Sequence, residues 1–250
     1  MAKRRFMKIG LFVPCYIDQF YPNVAIATLE LLEKHGCQVS FPLNQTCCGQ
    51  PMANAGFASL TNGCNHNFVQ NFSGFDYIVA PSGSCVLHIK EHLHDDENAA
   101  AAKYIRENTY ELTSFLTDIL KVDTVNAFFP FKVGLHISCH GQRMLGLASM
   151  SERVEAPFSK AEQLLKGVKG LKLQKPARVD ECCGFGGTFC VTEEAVSVSM
   201  GCDRVEEHEA NEVDFITGGD TSCLMHLEGI LRRKKSPVKI IHLAEILNAQ

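Results

Sequence analysis

Short apolar runs alternate along the chain with longer, more polar segments. The apolar runs predict strands at 8–15, 38–42, 76–81, 132–139, 171–174 and 214–219. The longer segments predict helices at 23–36, 55–70, 158–170 and 192–210. Pro22 fits the first turn of one helix, and Gly36 fits the position just after its end. Strands that alternate with helices in this way predict an α/β fold with mainly parallel sheets covered by helices.

The pattern occurs twice. KIGLFVPC (8–15) matches KVGLHISC (132–139), and FDYIVAPSGSCVLHI (75–89) matches VDFITGGDTSCLMHL (213–227). Between these matches, each half carries Cys-Cys-Gly, and each half closes with a similar segment that we predict to be a helix, YELTSFLTDIL (110–120) or IIHLAEILNA (240–249). The repeat predicts two similar halves, residues 1–125 and 126–250.

Composition narrows the class of protein. The 250 residues are 46% hydrophobic and carry a formal net charge of −4, which gives no indication of binding to nucleic acid. No apolar run approaches 18 residues, so we expect no transmembrane segment. The first apolar run is short and is interrupted by Pro14 and Asp18, which favours a buried strand over a signal peptide and predicts a cytoplasmic protein. The 12 cysteines are then expected to be metal ligands or redox thiols rather than disulfides.

Eight cysteines form two equivalent quartets, each with one adjacent pair. In α/β folds, sites form at the carboxyl ends of parallel strands, and the single cysteines lie at or just beyond such ends. Four thiolates suit a tetrahedral zinc ion, but adjacent cysteines fit one ion poorly, whereas neighbouring thiolates can bind different irons of a cluster. The predicted cofactor and metal ligands are Cys15, Cys47, Cys48 and Cys85 in the first half, and Cys139, Cys182, Cys183 and Cys223 in the second.

The order Cys, long gap, Cys-Cys-Gly, long gap, Cys resembles the cysteine-rich (CCG) domain that occurs twice in the heterodisulfide reductase family and in related iron–sulfur oxidoreductases. The compact two-repeat chain, with FVPCYIDQFYP and CCGFGGTF, most closely resembles the lactate utilization protein A family. The resemblance implies a duplicated CCG-type fold and iron–sulfur clusters, whose type it leaves open. It also implies a cytoplasmic complex that oxidises a small hydroxy acid, L-lactate, to pyruvate with a ferredoxin-like iron–sulfur subunit and a third subunit.

The chain departs from heterodisulfide reductases three positions before the last cysteine of each half. Those enzymes have a further cysteine there, and this chain has Ser82 in one half and Asp220 in the other. Asp220 is a predicted oxygen ligand to metal, and its alternative role is to cap the helix that begins near Cys223. The difference predicts that the two metal sites are not equivalent. Zinc therefore stays an alternative to an iron–sulfur cluster in one half.

The remaining chemistry-bearing residues have weaker assignments. Without repeat partners, four cysteines are expected to be core or loop residues: Cys37, Cys64, Cys190 and Cys202. His136 is expected to be structural, and His140 is a candidate to face the substrate or the cluster. His88 and His226 are expected to pack within helices, with a hydrogen bond to cluster sulfur as the alternative. We identify no catalytic residue.

The sequence lacks a dinucleotide fingerprint, a Walker loop and a ferredoxin-type cysteine run. The chain is therefore expected to be an oxidoreductase subunit that is not self-sufficient. The alternatives are an electron-transfer subunit of the heterodisulfide reductase or glycolate oxidase type with another substrate, and a zinc-stabilised assembly protein without a redox role.

Overall fold

The computed structural model describes residues 7–250. The first half contains β1 (Lys8–Leu11), α1 (Cys15–Phe20), α2 (Pro22–Lys34), β2 (Gln38–Ser40), α3 (Gln50–Asn54), α4 (Asn62–Phe72), β3 (Tyr77–Ala80), α5 (Gly83–His92), α6 (Ala99–Asn108), β4 (Thr109–Glu111) and α7 (Leu112–Ser114). The second half contains β5 (Lys132–Leu135), α8 (Lys160–Leu165), β6 (Lys172–Gln174), α9 (Phe189–Thr192), α10 (Glu194–Ala210), β7 (Phe215–Gly218), α11 (Thr221–Lys234), β8 (Lys239–His242) and α12 (Leu243–Asn248). A 3₁₀ turn covers Ala58–Thr61, and π-helical turns cover Phe115–Ile119 and His140–Met144.

Within residues 7–250 the strands form two four-stranded sheets with the same order, β2-β1-β3-β4 and β6-β5-β7-β8. Every pairing is parallel. The predicted α/β fold with two similar, mainly parallel halves covered by helices is therefore confirmed. In each sheet the second strand lies on one side of the first, and the third lies on the other side. The strand order therefore switches between β1 and β3, or between β5 and β7, and a crevice opens at the carboxyl ends of such a pair.

The prediction that each half closes with a segment that is entirely helical was wrong. Each closing segment begins with a strand, β4 or β8, and only then turns into a helix, α7 or α12. The fourth strand was missed because it is an edge strand of three or four residues without a regular apolar alternation. Helix α6 was not predicted, and the helix predicted at 55–70 is divided into the 3₁₀ turn and α4.

The halves share one core. Helix α2 of the first half packs against α12 of the second, and one cluster of buried residues includes Leu31, Val133 and Leu247. Val125 and Phe129, in the segment that joins the halves, are buried in the same cluster. Near the carboxyl ends of the strands, α1 contacts α11, and α5 contacts the π-helical turn at His140–Met144. This packing brings the two strand-end crevices face to face.

Candidate metal centre

A single cavity of about 260 Å³ lies between the halves at the carboxyl ends of both sheets. The cavity is lined by both predicted quartets: Cys15, Cys47, Cys48, Cys85, Cys139, Cys182, Cys183 and Cys223. Ser82 and Asp220 line the same cavity. Duplication therefore places two equivalent groups of thiols around one space.

In the first half, the thiols come from three separate segments. Cys15 begins α1 just beyond β1, Cys85 lies in the first turn of α5 just beyond β3, and the adjacent pair lies in the loop before α3. The Sγ atoms of Cys15 and Cys47 are 3.7 Å apart. Two thiolates on one tetrahedral metal ion, each about 2.3 Å from it, would lie about 3.8 Å apart. The spacing of this pair therefore fits a shared metal ion.

The second half repeats this arrangement. The thiol of Cys182 contacts those of Cys139 and Cys183, and the thiol of Cys183 also contacts that of Cys223. The first-half thiols contact one another in the same order along the chain. One difference is His140, whose Nδ1 lies 3.9 Å from Cys139 Sγ.

The glycine after each cysteine pair explains the Cys-Cys-Gly motif. Gly49 and Gly184 have φ values of 92° and 87°, a left-handed conformation that residues with a Cβ rarely adopt. Each glycine N–H donates to the Sγ of the cysteine two residues earlier, at 3.4 Å in both halves. The tight turn places both thiols of a pair on the cavity side and provides one N–H···S hydrogen bond.

Gly184→Ala is expected to lower the free energy of unfolding by about 3 kcal/mol, because strain at positive φ is combined with a steric clash. A Cβ at Gly184 would lie 2.5 Å from the Ser197 carbonyl oxygen. Gly56→Ala is the matched control, since Gly56 has a φ of 89° and nothing within 4 Å of a Cβ; we expect about 1 kcal/mol there. Urea unfolding of both variants measures the difference, and equal losses would contradict the role assigned to the Gly184 turn.

Close packing of thiols changes their acidity. The pKa of Cys47 lies far below the usual thiol value because its thiolate accepts hydrogen bonds from Cys15 and Cys48. The pKa of Cys182 is lowered in the same way by Cys139 and Cys183. The pKa of each donating thiol is raised, because it loses a hydrogen bond when it ionises and because it is buried. Bound metal would deprotonate the thiols that serve as its ligands.

The spacing of the sulfur atoms can be compared with that expected around a single ion. In a mononuclear tetrahedral site, all four sulfurs would lie about 3.8 Å apart. Within the described part of the chain, no three cysteines have all their Sγ atoms within 4.8 Å of one another; the group that meets this limit is His136, Cys183 and Cys223. The all-thiolate donor set is spread more widely than a single ion needs, which fits a cluster of several metal ions.

Asp220 bridges the halves. Its Oδ2 accepts from the Ser84 N–H at 2.8 Å, and its Oδ1 accepts from the hydroxyls of Ser84 at 3.0 Å and Ser82 at 3.3 Å. A further hydroxyl, that of Ser222, donates to Oδ1 at 3.1 Å. Asp220 holds the N-cap position of α11, as the alternative expected, but its side chain makes no capping bond to that helix and instead caps α5 of the other half. The predicted metal-ligand role of Asp220 stays a prediction.

The four cysteines outside the repeat do not belong to the cavity lining among residues 7–250. Cys37 is buried in the shared core, and Cys202 packs against the core of the second half. Cys64 and Cys190 are half-buried, and the Cys190 thiol donates to the Gly187 carbonyl oxygen at 3.1 Å.

The histidines differ in their surroundings. His88 on α5 is buried with no partner for Nε2 among the described residues, whereas Nε2 of its counterpart His226 on α11 lies 3.2 Å from the Ser197 carbonyl oxygen. Burial lowers the pKa of both imidazoles. His136 was expected to be only structural, yet one of its ring nitrogens lies within 4.8 Å of the Cys183 and Cys223 sulfurs. The position of His136 could have been noticed by comparing the two halves of the repeat, because Phe12 holds the equivalent position in the first half.

Comparisons with known proteins agree with this architecture. The family model of the Cysteine-rich domain (CCG) matches residues 9–90 and 133–228. Lactate utilization protein A of Geobacillus sp. (strain WCH70) is 42% identical over 248 residues, which are 98% of this chain and 100% of that protein. The protein of the same name from Bacillus licheniformis is 41% identical over 248 residues, again 98% of this chain and 100% of that protein.

Among solved structures, a hypothetical protein from Helicobacter pylori has a similar fold. The TM-score is 0.59 at 15% sequence identity, and the match covers 96% of this chain and 48% of that chain. This similarity concerns the fold alone.

Proposed function

The chain belongs to the lactate utilization protein A family of duplicated cysteine-rich (CCG) proteins, and we propose that it is the iron–sulfur subunit of a complex that oxidises L-lactate to pyruvate. The name of its relatives supports lactate utilization as the process. The observation that carries the proposal is the single cavity lined by eight cysteines, four from each half.

The proposed cofactors are two iron–sulfur clusters, one on each quartet. The donors are thiolates, which iron–sulfur clusters prefer, and their spacing exceeds that around a single ion. The N–H groups of Gly49 and Gly184 are further support, because backbone N–H···S hydrogen bonds adjust the potentials of such clusters. A zinc ion in one half is the competing assignment, and metal analysis distinguishes the two.

The proposed reaction removes two electrons and two protons from lactate, one proton from the hydroxyl and one from the carbon that carries it. When bound, two clusters facing one cavity would supply two one-electron acceptors for this oxidation. The chain itself must bind the substrate and accept protons. His140 is our candidate acceptor for the hydroxyl proton, because its imidazole lines the cavity.

A hydroxy acid also brings a carboxylate that the cavity must bind. No lysine or arginine is found among the described residues that line the cavity, so the binding groups must be polar and uncharged or must belong to helix ends. Asp220 already occupies the N-terminus of α5, but no side chain caps α11. The Thr221 hydroxyl at the start of α11 is buried, has no partner within residues 7–250 and belongs to the cavity wall. We assign the substrate carboxylate to this helix terminus, where backbone N–H groups favour anions.

Electrons must then leave the cavity for a partner. The sequence offers no nucleotide-binding motif, so we assign the onward acceptor to a ferredoxin-like iron–sulfur subunit and a third subunit of the complex. The exposed Val191 lies at the rim of the cavity and is a candidate contact for the partner. No helix within residues 7–250 combines the length and the apolar character needed to cross a membrane. We place the complex in the cytoplasm.

The chain alone is expected to give no NAD-dependent oxidation of lactate, because it has no recognisable means of binding a nicotinamide. The measurement is NADH formation by the purified, metal-loaded chain with L-lactate, compared with dye reduction by the assembled complex. NADH formed by the single chain at a rate similar to that of the complex would contradict the assignment as a subunit.

The substrate is tested in the anaerobic complex. L-lactate is expected to reduce the clusters of this chain, seen as a change in their electron paramagnetic resonance (EPR) signals, and to yield pyruvate. Glycolate is the comparison substrate. Reduction by glycolate but not by L-lactate would favour the glycolate-oxidase-type alternative, and reduction by neither would overturn the proposed activity.

A further inference from the structure

The two halves differ in the layer of side chains behind their cysteine pairs. In the first half, Phe12, Phe68 and Phe72 stack against one another with ring centroids 4.4–5.8 Å apart, in the same apolar cluster as Cys48. In the second half, His136 takes the place of Phe12 in the repeat. At these three positions the layer behind the first pair is therefore aromatic and apolar, and the layer behind the second contains an imidazole.

The neighbours of His136 are also replaced. Gly10 and Gly134 are equivalent in the repeat, and a Cβ on them would meet Phe72 and His208, respectively. His208 thus corresponds to Phe72, and the residue one helical turn earlier is Phe68 in one half and Arg204 in the other. Three phenylalanines are exchanged for His136, Arg204 and His208, all of which are buried.

Arg204 fixes the orientation and protonation of the His136 ring. Arg204 Nε donates to His136 Nδ1 at 3.3 Å, and its Nη1 lies 2.9 Å from a Glu207 carboxylate oxygen. A guanidinium has donors and no acceptor, so the Nδ1 that accepts from it carries no proton. The ring proton is therefore on Nε2, which is buried and has no partner among the described residues.

Two thiols of the second half lie near this ring. A ring nitrogen of His136 lies within 4.8 Å of Cys183 Sγ and Cys223 Sγ, two of the second-half thiols. To bind metal through Nε2, the ring would have to carry its proton on Nδ1, directly against the Arg204 N–H. Arg204 therefore favours His136 as a hydrogen-bond donor to sulfur over His136 as a metal ligand.

We propose that His136, held by Arg204, donates its Nε2–H to a sulfur atom of the second-half cluster and raises the reduction potential of that cluster. This inference rests on the proposed iron–sulfur function. Reduction adds negative charge to the cluster, and an N–H dipole directed at sulfur stabilises that charge. Phe12, at the equivalent position of the first half, offers no such donor. The other histidine pair also differs, since His88 Nε2 has no partner among the described residues and His226 Nε2 lies 3.2 Å from the Ser197 carbonyl oxygen, so the contribution of His136 is measured by its own substitution.

Asp220 has the opposite expected effect, since a carboxylate beside a cluster lowers its potential. Its charge, however, is directed at Ser84 and Ser82 of the first half. The two effects are opposite in sign, and substitution of His136 measures its own contribution.

The test compares His136→Phe with His208→Phe. Both variants introduce the phenylalanine found at the equivalent position of the first half. Only His136→Phe removes the Nε2–H donor, whereas His208→Phe leaves the Arg204–His136 contact in place. In an EPR-monitored redox titration, His136→Phe is expected to make one of the two clusters at least tenfold harder to reduce, which is about 59 mV for one electron. His208→Phe is expected to leave both potentials close to those of the unchanged protein. His136→Gln keeps an N–H donor and is expected to restore part of the shift.

A second measurement uses the metal-free protein. Nitrogen-15 NMR of the imidazoles is expected to show His136 protonated on Nε2 and unprotonated on Nδ1. The opposite tautomer would overturn the inference. Two bound clusters whose potentials are unchanged in His136→Phe would also overturn it. Neither result would contradict the proposed function. Zinc bound by His136, or a protein without any cluster, would overturn both the inference and the proposed cofactor. These outcomes therefore distinguish failure of the inference alone from failure of the proposed function.

Discussion

Cys47→Ser is expected to remove the metal of the first half and to leave that of the second, and Cys182→Ser is expected to do the reverse. Each of these cysteines contacts two other thiols of its quartet and carries the lowered pKa. Serine has nearly the same shape, but its hydroxyl is a far poorer ligand for iron at neutral pH than a thiolate. Iron and sulfide per chain should fall by about half in each variant, and the double variant should contain neither.

The matched control is Cys202→Ser. Cys202 is half-buried against the second-half core and is absent from the cavity lining among the described residues. Its replacement should leave the iron and sulfide contents unchanged. Full metal content in Cys47→Ser or Cys182→Ser would remove the corresponding half from the proposed cofactor site, and loss of metal in the control would indicate a general effect on folding.

Asp220→Ala is expected to lower the free energy of unfolding by about 2–4 kcal/mol, because it removes an N-terminal helix cap and leaves buried donors without an acceptor. The carboxylate accepts from the Ser84 N–H and from the hydroxyls of Ser82, Ser84 and Ser222. Because the bonds from Ser82 and Ser84 connect the halves, the loss should appear in urea unfolding of the metal-free chain as well as the loaded one.

Asp220→Asn separates the cap from the predicted metal ligand. The amide keeps one oxygen for the Ser84 N–H, and its NH₂ group can donate to the hydroxyls, so stability should fall by about 1 kcal/mol or less. Unchanged EPR signals and potentials in this variant would rule out Asp220 as a ligand to iron. A large change in those signals with little loss of stability would instead support ligation. Ser84→Ala is a useful comparison, since it removes one hydroxyl and keeps the backbone donor.

The sequence was sufficient to predict the repeated α/β architecture because each half repeats the same strand, cysteine and glycine marks. It was also sufficient to predict that the cysteines of one quartet lie near one another, since β1 and β3, like β5 and β7, end at the same edge of a parallel sheet. Their role as metal ligands stays a prediction, and the shared cavity was not predicted. The fourth strand of each sheet escaped prediction because β4 is three residues long and combines buried Thr109 and Glu111 with a half-buried Tyr110. A polar pattern of that kind does not indicate a strand.

The features that join the halves escaped prediction for another reason. Asp220 and Ser84 are 136 residues apart in the chain, and the preference of Asp for helix N-termini pointed to its own helix rather than to α5. The contact between Arg204 and His136 likewise joins residues 68 apart. Local patterns carry no information about such pairs, although the replacement of Phe12 by His136 in the repeat marked one of the positions.

The measurement that tests the central claim most directly is iron, acid-labile sulfide and zinc analysis of the anaerobically purified chain, with EPR before and after reduction. The account predicts iron and sulfide in similar amounts, little zinc, and two distinguishable cluster signals that Cys47→Ser and Cys182→Ser remove one at a time. A colourless protein that contains zinc and no sulfide would contradict it.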